Sequence, residues 1–151
     1  MDTISQILQL AKERALNKSL SYAGALTPAE AQKLFELVPG AKLVDVRSRA
    51  EVELVGRIPH ATVIEWAFYP GMQPNPDFAS QLKSQLDPEC LTMFICRTGG
   101  RSHNAAAVAA ELGFAEAYNV LEGFEGESTP DTRQRGSING WKVANLPWTN
   151  G

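Results

Sequence analysis

The fold is decided by one stretch, Leu91-Thr92-Met93-Phe94-Ile95-Cys96-Arg97-Thr98-Gly99-Gly100-Arg101-Ser102. Its first five residues are a short, nearly continuous apolar run, which is typical of a parallel strand buried on both faces. The alanine-rich run over residues 105–110 has high helix propensity, and Gly113 follows it as the expected C-terminal cap. The stretch is therefore predicted to be the turn from a buried strand into a helix.

This turn collects groups that attract an anion. The N-terminus of a helix directs backbone N–H groups and the positive end of the helix dipole at one spot, and Gly99 and Gly100 let the backbone curl so that these groups converge. Cys96 is expected at the mouth of the concavity, beside Arg97 and Arg101, where the thiolate form is favoured. The residues predict a nucleophilic cysteine that acts on an anionic substrate.

A buried strand-end cysteine without chemistry is the alternative interpretation of Cys96, because free cysteine is among the most buried residue types. Arg97 and Arg101 argue against it, since a guanidinium group beside an apolar strand end needs solvent or an anion. The arginines and glycines together favour the nucleophile.

Several segments resemble the rhodanese-homology sulfurtransferases in their order and spacing, and together they cover about residues 27 to 148. The loop of residues 96–102 resembles the active-site loop of that family. The other matches are Leu43-Val44-Asp45-Val46-Arg47 with the family's Asp-x-Arg strand, residues 51–61 with its Glu-x-x-x-Gly-His-Ile-Pro-Gly-Ala segment, residues 118–124 with a strand ending in a Gly-Gly-aromatic turn, and Gly140-Trp141 with Leu146-Pro147-Trp148 as the C-terminal signature. Arg57 and His60 depart from the pattern, where the family usually has histidine and glycine.

The resemblance implies an α/β fold with an open, mainly parallel central sheet of about five strands and helices on both faces. It also implies a thiosulfate sulfurtransferase of the single-domain rhodanese type. In a ping-pong reaction, the Cys96 thiolate would take sulfane sulfur from thiosulfate or a related donor, hold it as a persulfide and pass it to a thiol or cyanide. No cofactor is expected. The expected partners are the small anionic donor and the acceptor, with a protein sulfur carrier as an alternative.

The expected site has Cys96 as its catalytic residue. Residues that would bind the donor and cradle the persulfide follow it directly: Arg97, Thr98, Gly99, Gly100, Arg101 and Ser102. For Ser102, capping of the helix is the favoured alternative role. Asp45 and Arg47 are expected to support the loop, with a salt bridge that braces neighbouring turns as the favoured role of Asp45. Trp66 and Phe68 are candidate walls of the pocket, and core packing is the alternative for both.

The length of 151 residues suits one domain. Residues 1–20 are expected to form an extension containing an amphipathic helix over residues 3–17, and residues 21–151 a single rhodanese-like domain. The polar segment 125–139 is interpreted as a surface insertion that contacts a partner or is mobile. A loop is predicted over residues 70–76, a helix over residues 49–55 and another over residues 77–86.

Composition excludes several classes of function. The net charge of -3 gives no global attraction to nucleic acid or acidic membranes. The two cysteines, Cys90 and Cys96, do not have the spacing of a zinc site, and His60 and His103 are interpreted as surface or loop residues, so no metal is expected. The N-terminus resembles neither a signal peptide nor a membrane span. A reactive thiol suits a reducing compartment, which predicts a cytoplasmic protein.

Two other functions remain open. Cell-cycle dual-specificity phosphatases resemble this fold, but their loop has five residues between cysteine and arginine, whereas four separate Cys96 from Arg101. A tighter ring suits a single sulfur better than a tetrahedral phosphate, so a phosphatase or arsenate reductase ranks below sulfur transfer. A binding or regulatory module without turnover is the second alternative, and the presence of Cys96 argues against it.

Overall fold

A parallel sheet of five strands forms the centre of the computed structural model, which describes residues 3–49, 52, 58–68, 73–96 and 100–121, with the backbone alone at Phe68 and Gly100. The strands are β1 (Gly24–Leu26), β2 (Lys42–Asp45), β3 (Thr62–Val63), β6 (Thr92–Ile95) and β7 (Ala117–Val120). Their spatial order is β1-β7-β6-β2-β3, and every neighbouring pair is parallel. The predicted fold class is confirmed, and β6 lies at the centre of the sheet.

In the described part of the chain, four helices of at least eight residues cover both faces of the sheet: α1 (Thr3–Asn17), α2 (Pro28–Leu37), α3 (Phe78–Gln85) and α4 (Gly100–Glu111). Side chains of α1 and α2 pack in one apolar cluster, to which β6 contributes Met93 and Ile95. Side chains of α3 and α4 pack in a second cluster with Phe94 and Cys96. Because successive strand residues point to opposite faces, the two clusters lie on opposite sides of the sheet. Cys96 therefore belongs to the α3–α4 face.

The first helix packs against the edge of the sheet. Ile7, Ala11 and Ala15 are its buried residues, as the amphipathic pattern predicts. The backbone of β1 approaches so closely that a Cβ atom on Gly24 would lie 2.8 Å from Ala11. Glycine at this position is therefore required by packing. The division of the chain into an extension and a domain stays a prediction.

The sequence Thr27-Pro28-Ala29-Glu30 predicts a capped helix start and Gly113 a helix end, and the structure confirms both. Thr27 and Glu30 form a reciprocal capping box at the start of α2, in which the Thr27 side chain accepts from the Glu30 N–H and the Glu30 carboxylate accepts from the Thr27 N–H. Gly113 has a φ of 100° after α4, the left-handed conformation that glycine adopts readily at a helix C-terminus.

The segment after β3 differs from expectation. Residues Ala67–Phe68 (β4) and Gln73–Pro74 (β5) form a two-stranded antiparallel ribbon, and β5 lies within the predicted loop over residues 70–76. Two residues per strand are too few to produce a recognisable alternation of apolar and polar side chains, so the ribbon left no signal. The Trp66 carbonyl accepts a hydrogen bond from the Asn75 N–H and extends the ribbon.

Some predicted features fall outside the described residues. Within the helix predicted over residues 49–55, only Arg49 and Val52 are described, and both are helical. The polar insertion over residues 125–139 and the C-terminal signature over residues 140–148 lie wholly outside. Among the described helices, none combines the length and the apolar character that a membrane crossing requires.

Candidate functional site

Cys96 lies directly after the last residue of the central strand, at the carboxyl edge of the parallel sheet. The carbonyl of Ile95, the residue before it, accepts a hydrogen bond from the Val46 N–H of the strand alongside. The helix α4 begins at Gly100, so the connection from β6 to α4 consists of three residues beyond Cys96. These three predicted donor-binding residues, Arg97, Thr98 and Gly99, lie outside the described part of the chain.

The thiol itself is buried, with 1% of Cys96 exposed. This differs from the expected position at the mouth of an open concavity. The cause is the alanine-rich sequence of α4, because the small side chains of Ala105, Ala106 and Ala109 are fully buried and let the helix lie close to the central strand. A donor must therefore gain access to the sulfur before it can react.

Ser102 places its side-chain hydroxyl within hydrogen-bonding distance of the Cys96 sulfur. Its Oγ atom lies 3.4 Å from Cys96 Sγ and 2.5 Å from Asn119 Oδ1. Ser102 is fully buried and is the third residue of α4, so it is not the N-cap of that helix. The expectation that Ser102 caps the helix is wrong, because its side chain is directed at the sheet instead of at the helix start.

A row of hydrogen-bonded side chains continues from Ser102 to the surface. Asn119 lies on β7 and hydrogen-bonds Tyr22, whose Oη atom lies 2.7 Å from Nδ1 of His103. Tyr22 and Asn119 are 5% and 4% exposed, whereas His103 is exposed. Burial raises the pKa of Tyr22, and the hydrogen bond from Asn119 opposes this rise. We call Cys96, Ser102, Asn119, Tyr22 and His103 the thiol–histidine chain.

Sequence reasoning missed Asn119 and Tyr22 as neighbours of the site. The interpretation of His103 as a surface residue is correct about its exposure and missed its bond to Tyr22. One signal was available, since Asn119 is the polar residue of an otherwise apolar strand. A buried side-chain amide needs hydrogen-bond partners, and Ser102 and Tyr22 supply them.

Asp45 and Arg47 form a buried ion pair beside the site. The Arg47 Nη2 atom lies 2.7 Å from Asp45 Oδ2, and the two side chains are 0% and 1% exposed. The Asp45 carboxylate also accepts hydrogen bonds from Nε and from the backbone N–H of Arg47. Since Asp45 is paired in register with Ile95, this geometry fixes the turn next to Cys96, as expected for a brace.

Two further predicted site residues, Arg101 and Trp66, belong to the described part of the chain. Arg101 is half-buried in the first turn of α4. Trp66 packs edge-to-face on Phe78, with ring centroids 4.9 Å apart, and lines a cavity of about 360 Å³ that reaches Val108 on α4. Trp66 packs against the apolar cluster that also contains Cys96, so its role as a pocket wall stays a prediction. The side chain of Phe68 lies outside the described residues.

Of the two departures from the family pattern, His60 is the one that the structure describes. The His60 ring packs on Phe35 of α2, with centroids 4.3 Å apart, on the face opposite to Cys96. Burial lowers the pKa of His60, so its imidazole is favoured in the neutral form. Arg57 lies outside the described residues. Among the residues described, no group of three His, Cys, Asp or Glu side chains is placed to hold a metal ion.

Comparisons with known proteins place this arrangement in a family context. The family model for the rhodanese-like domain matches residues 27–128. An uncharacterized protein of Rickettsia conorii is 36% identical over 110 residues, which are 72% of this chain and 82% of that protein. The crystal structure of Rv0390 from M. tuberculosis has 38% identity and a TM-score of 0.78, covering 86% of this chain and 99% of that one. The polysulfide-sulfur transferase homodimer of Wolinella succinogenes has the same fold, with 22% identity and a TM-score of 0.59 over 98% and 93% of the two chains.

Proposed function

The chain belongs to the family of rhodanese-like domains, and from this premise we propose that it is a sulfurtransferase that carries sulfane sulfur on Cys96. The observation that carries the proposal is the position of Cys96, which follows the central strand with the Ser102 hydroxyl 3.4 Å from its sulfur. A hydroxyl at this distance stabilises a thiolate by a charge-assisted hydrogen bond.

In the first step, the Cys96 thiolate attacks the outer sulfur of thiosulfate. The new S–S bond forms as the old S–S bond breaks, and sulfite leaves with the electron pair, so a persulfide anion remains on the enzyme. In the second step, cyanide or an acceptor thiolate attacks the outer sulfur of the persulfide. Thiocyanate or the acceptor persulfide departs, and Cys96 returns as the thiolate.

The charge and position of the residues after Cys96 indicate what each contributes to sulfur transfer. Both the donor and the departing sulfite are anions, so Arg97 and Arg101 would bind the donor and stabilise the leaving group. The backbone N–H groups of Thr98, Gly99 and Gly100 would surround the transferred sulfur at the start of α4. Asp45 and Arg47 would hold the neighbouring turn in place through their buried ion pair.

Burial of the thiol limits the substrate class. A sulfur atom that is 1% exposed suits a small donor, or a donor that presents its sulfur at the end of a narrow group. Thiosulfate, a low-molecular-weight persulfide and the terminal persulfide of a protein carrier all meet this requirement. The acceptor must reach the same atom, so a small thiol or cyanide fits as well. A thiol that reacts in this way needs a reducing compartment, such as the cytoplasm.

A binding module without turnover is the alternative supported by the burial of Cys96, which also suits a packing residue. Phosphatase or arsenate reductase activity ranks lower because four residues, not five, separate Cys96 from Arg101. Sulfur transfer forms thiocyanate, a phosphatase releases phosphate and a binding module forms neither product. One set of assays therefore separates the three functions.

The test is formation of thiocyanate from thiosulfate and cyanide. We expect turnover by the unmodified chain, loss of turnover in Cys96→Ser, and normal turnover in Cys90→Ser, which removes the other cysteine at the opposite end of β6. Absence of thiocyanate with folded protein, for thiosulfate and for a glutathione persulfide donor alike, would contradict the proposal. Phosphate release from an aryl phosphate would support the phosphatase alternative instead.

A further inference from the structure

Two of the groups around the Ser102 hydroxyl compete for its one proton. Its Oγ atom lies 2.5 Å from Asn119 Oδ1 and 3.4 Å from Cys96 Sγ. When the proton is directed at Asn119, Ser102 Oγ can only accept from the thiol S–H group. When the proton is directed at the sulfur, Asn119 must present its N–H group to Ser102 instead. The orientation of the Asn119 amide therefore controls whether Ser102 can donate to the sulfur.

The orientation of the Asn119 amide is linked by hydrogen bonds to Tyr22 and His103, the next two members of the thiol–histidine chain. In the thiol direction, the Asn119 Nδ2–H donates to Tyr22 Oη, and the Tyr22 O–H donates to Nδ1 of His103. In the thiolate direction, His103 donates from Nδ1 to Tyr22, Tyr22 donates to Asn119 Oδ1, and Asn119 Nδ2–H donates to Ser102. Ser102, Asn119 and Tyr22 each keep a hydrogen-bond partner in both directions, so neither arrangement leaves one of these buried groups unpaired.

We infer that Tyr22, Asn119 and His103 are positioning residues that turn the Ser102 hydroxyl toward the Cys96 thiolate, with His103 as the end of the thiol–histidine chain that solvent reaches. A proton on Nδ1 of His103 favours the direction in which Ser102 donates to sulfur. The inference deepens the proposed sulfur transfer and rests on it for its biological meaning. The hydrogen-bond geometry on which the inference rests does not depend on the identity of the sulfur donor.

The direction of the Ser102 hydrogen bond matters for the second step of sulfur transfer. In the second step Cys96 leaves as a thiolate, and charge then develops on a sulfur atom that is withdrawn from water. A hydroxyl that already points at this atom stabilises the charge without reorganisation. If Ser102 stays turned toward Asn119, the thiolate loses that donor. Tyr22 and His103 therefore act on the departure of the acceptor product without touching the substrate.

Other charged groups lie on or next to the elements that carry the thiol–histidine chain. They are Lys18 in the segment before Tyr22, Arg101 and Glu111 on α4, and Glu116 before β7. Arg101 lies two residues before His103 and would stabilise the thiolate directly, so its contribution is common to all the variants compared below. The segment from Leu20 to Tyr22 and the strand β7 carry no charged side chain of their own.

The test is the pH profile of Cys96 alkylation by iodoacetamide in the full-length chain, with Cys90→Ser as the background. The pH at half-maximal rate reports the thiolate, and a pH-independent change in access does not move it. We compare Tyr22→Phe with Tyr118→Phe, a tyrosine that is also 5% exposed but belongs to the opposite face. On the surface, we compare His103→Ala with Asn104→Ala, its exposed neighbour on α4.

We expect Tyr22→Phe and His103→Ala to move the midpoint to higher pH and to slow alkylation at neutral pH by about three- to tenfold, the worth of one hydrogen bond. His103→Asn, which keeps an amide near the position of Nδ1, should recover most of the rate. Tyr118→Phe and Asn104→Ala should match the background. Because His103 is exposed, its variants keep the test valid if Tyr22→Phe does not fold.

Superimposable profiles for His103→Ala and the background would overturn the inference, and so would an equal shift in the matched control variants. The measurement needs no sulfur donor. If alkylation shifts as expected and no thiocyanate forms, sulfur transfer fails while the positioning role stands. If thiocyanate forms and the profiles coincide, the positioning role alone fails.

Discussion

Asp45 and Arg47 are joined by a contact of 2.7 Å between Oδ2 and Nη2, and both side chains are withdrawn from solvent at the strand that neighbours Cys96. A buried ion pair of this kind is costly to break, because the remaining charge has no compensation. We therefore expect Asp45→Asn to lower the free energy of unfolding by about 3–5 kcal/mol.

Urea denaturation measures this loss. The control is Arg49→Gln, which breaks an ion pair with Glu65 whose arginine side chain is 73% exposed. An exposed pair contributes about 0–1 kcal/mol, so the control should barely change the midpoint. Equal effects of the two substitutions would show that the Asp45–Arg47 pair does not brace the fold.

The Ser102 hydroxyl is expected to affect turnover more than stability. Ser102→Ala removes the donor to sulfur, and a hydrogen bond to a charged group is worth about 1.5–3 kcal/mol, so we expect kcat to fall about 10- to 100-fold. Thiocyanate kinetics measure the fall. Ser84→Ala on α3, which removes an exposed hydroxyl bonded to the Gln81 carbonyl, is the matched control. An unchanged kcat in Ser102→Ala would remove the hydroxyl from the mechanism.

Arg101 is expected to act on the anionic donor. Replacement by alanine removes a positive charge from the first turn of α4, so KM for thiosulfate should rise roughly tenfold, in line with the loss of one charge-assisted contact. The alkylation midpoint should move to higher pH. Lys83→Ala removes an exposed charge from α3 and should leave both quantities unchanged. A normal KM and midpoint in Arg101→Ala would contradict the proposed activation of the thiol.

Alkaline pH is expected to destabilise the chain through Tyr118. Burial raises the pKa of this phenol to about 12, whereas the unfolded chain titrates near its ordinary value of 10. Below pH 10 the phenol is neutral in both states, and as the pH rises toward 12 the unfolded state ionises first and gains stability. The free energy of unfolding should therefore fall across this window. Tyr118→Phe should show a shallower fall, and parallel curves would exclude Tyr118 as the cause.

Much of the fold was predictable because its signals are local. The apolar run before Cys96 predicts the central strand, Thr27 and Glu30 predict the start of α2, and Gly113 predicts the end of α4. Each of these depends on residues within a few positions of one another. The ribbon of β4 and β5 was not predictable, because its strands have two residues each and depend on a tertiary contact between Trp66 and Asn75.

The site divides in the same way. Cys96 and its loop are recognisable because the glycines and arginines follow the cysteine directly in sequence. Asn119 and Tyr22 contact Ser102 and His103 of α4 from β7 and from the segment before β1, and the parallel pairing of β1, β7 and β6 brings these elements together. The burial of Cys96 was not predictable either, because it depends on how α4 packs against the sheet. The alanines that allow this packing have the same high helix propensity in an exposed helix, so their presence alone does not indicate burial.

The most direct test of sulfur transfer is the mass of the intact chain after incubation with thiosulfate and removal of small molecules. We expect one added sulfur atom, located at Cys96 by peptide mapping, lost on addition of cyanide and absent from Cys96→Ser. A folded protein that gains no sulfur from thiosulfate or from a glutathione persulfide, or that gains it at Cys90 instead, would contradict the persulfide mechanism.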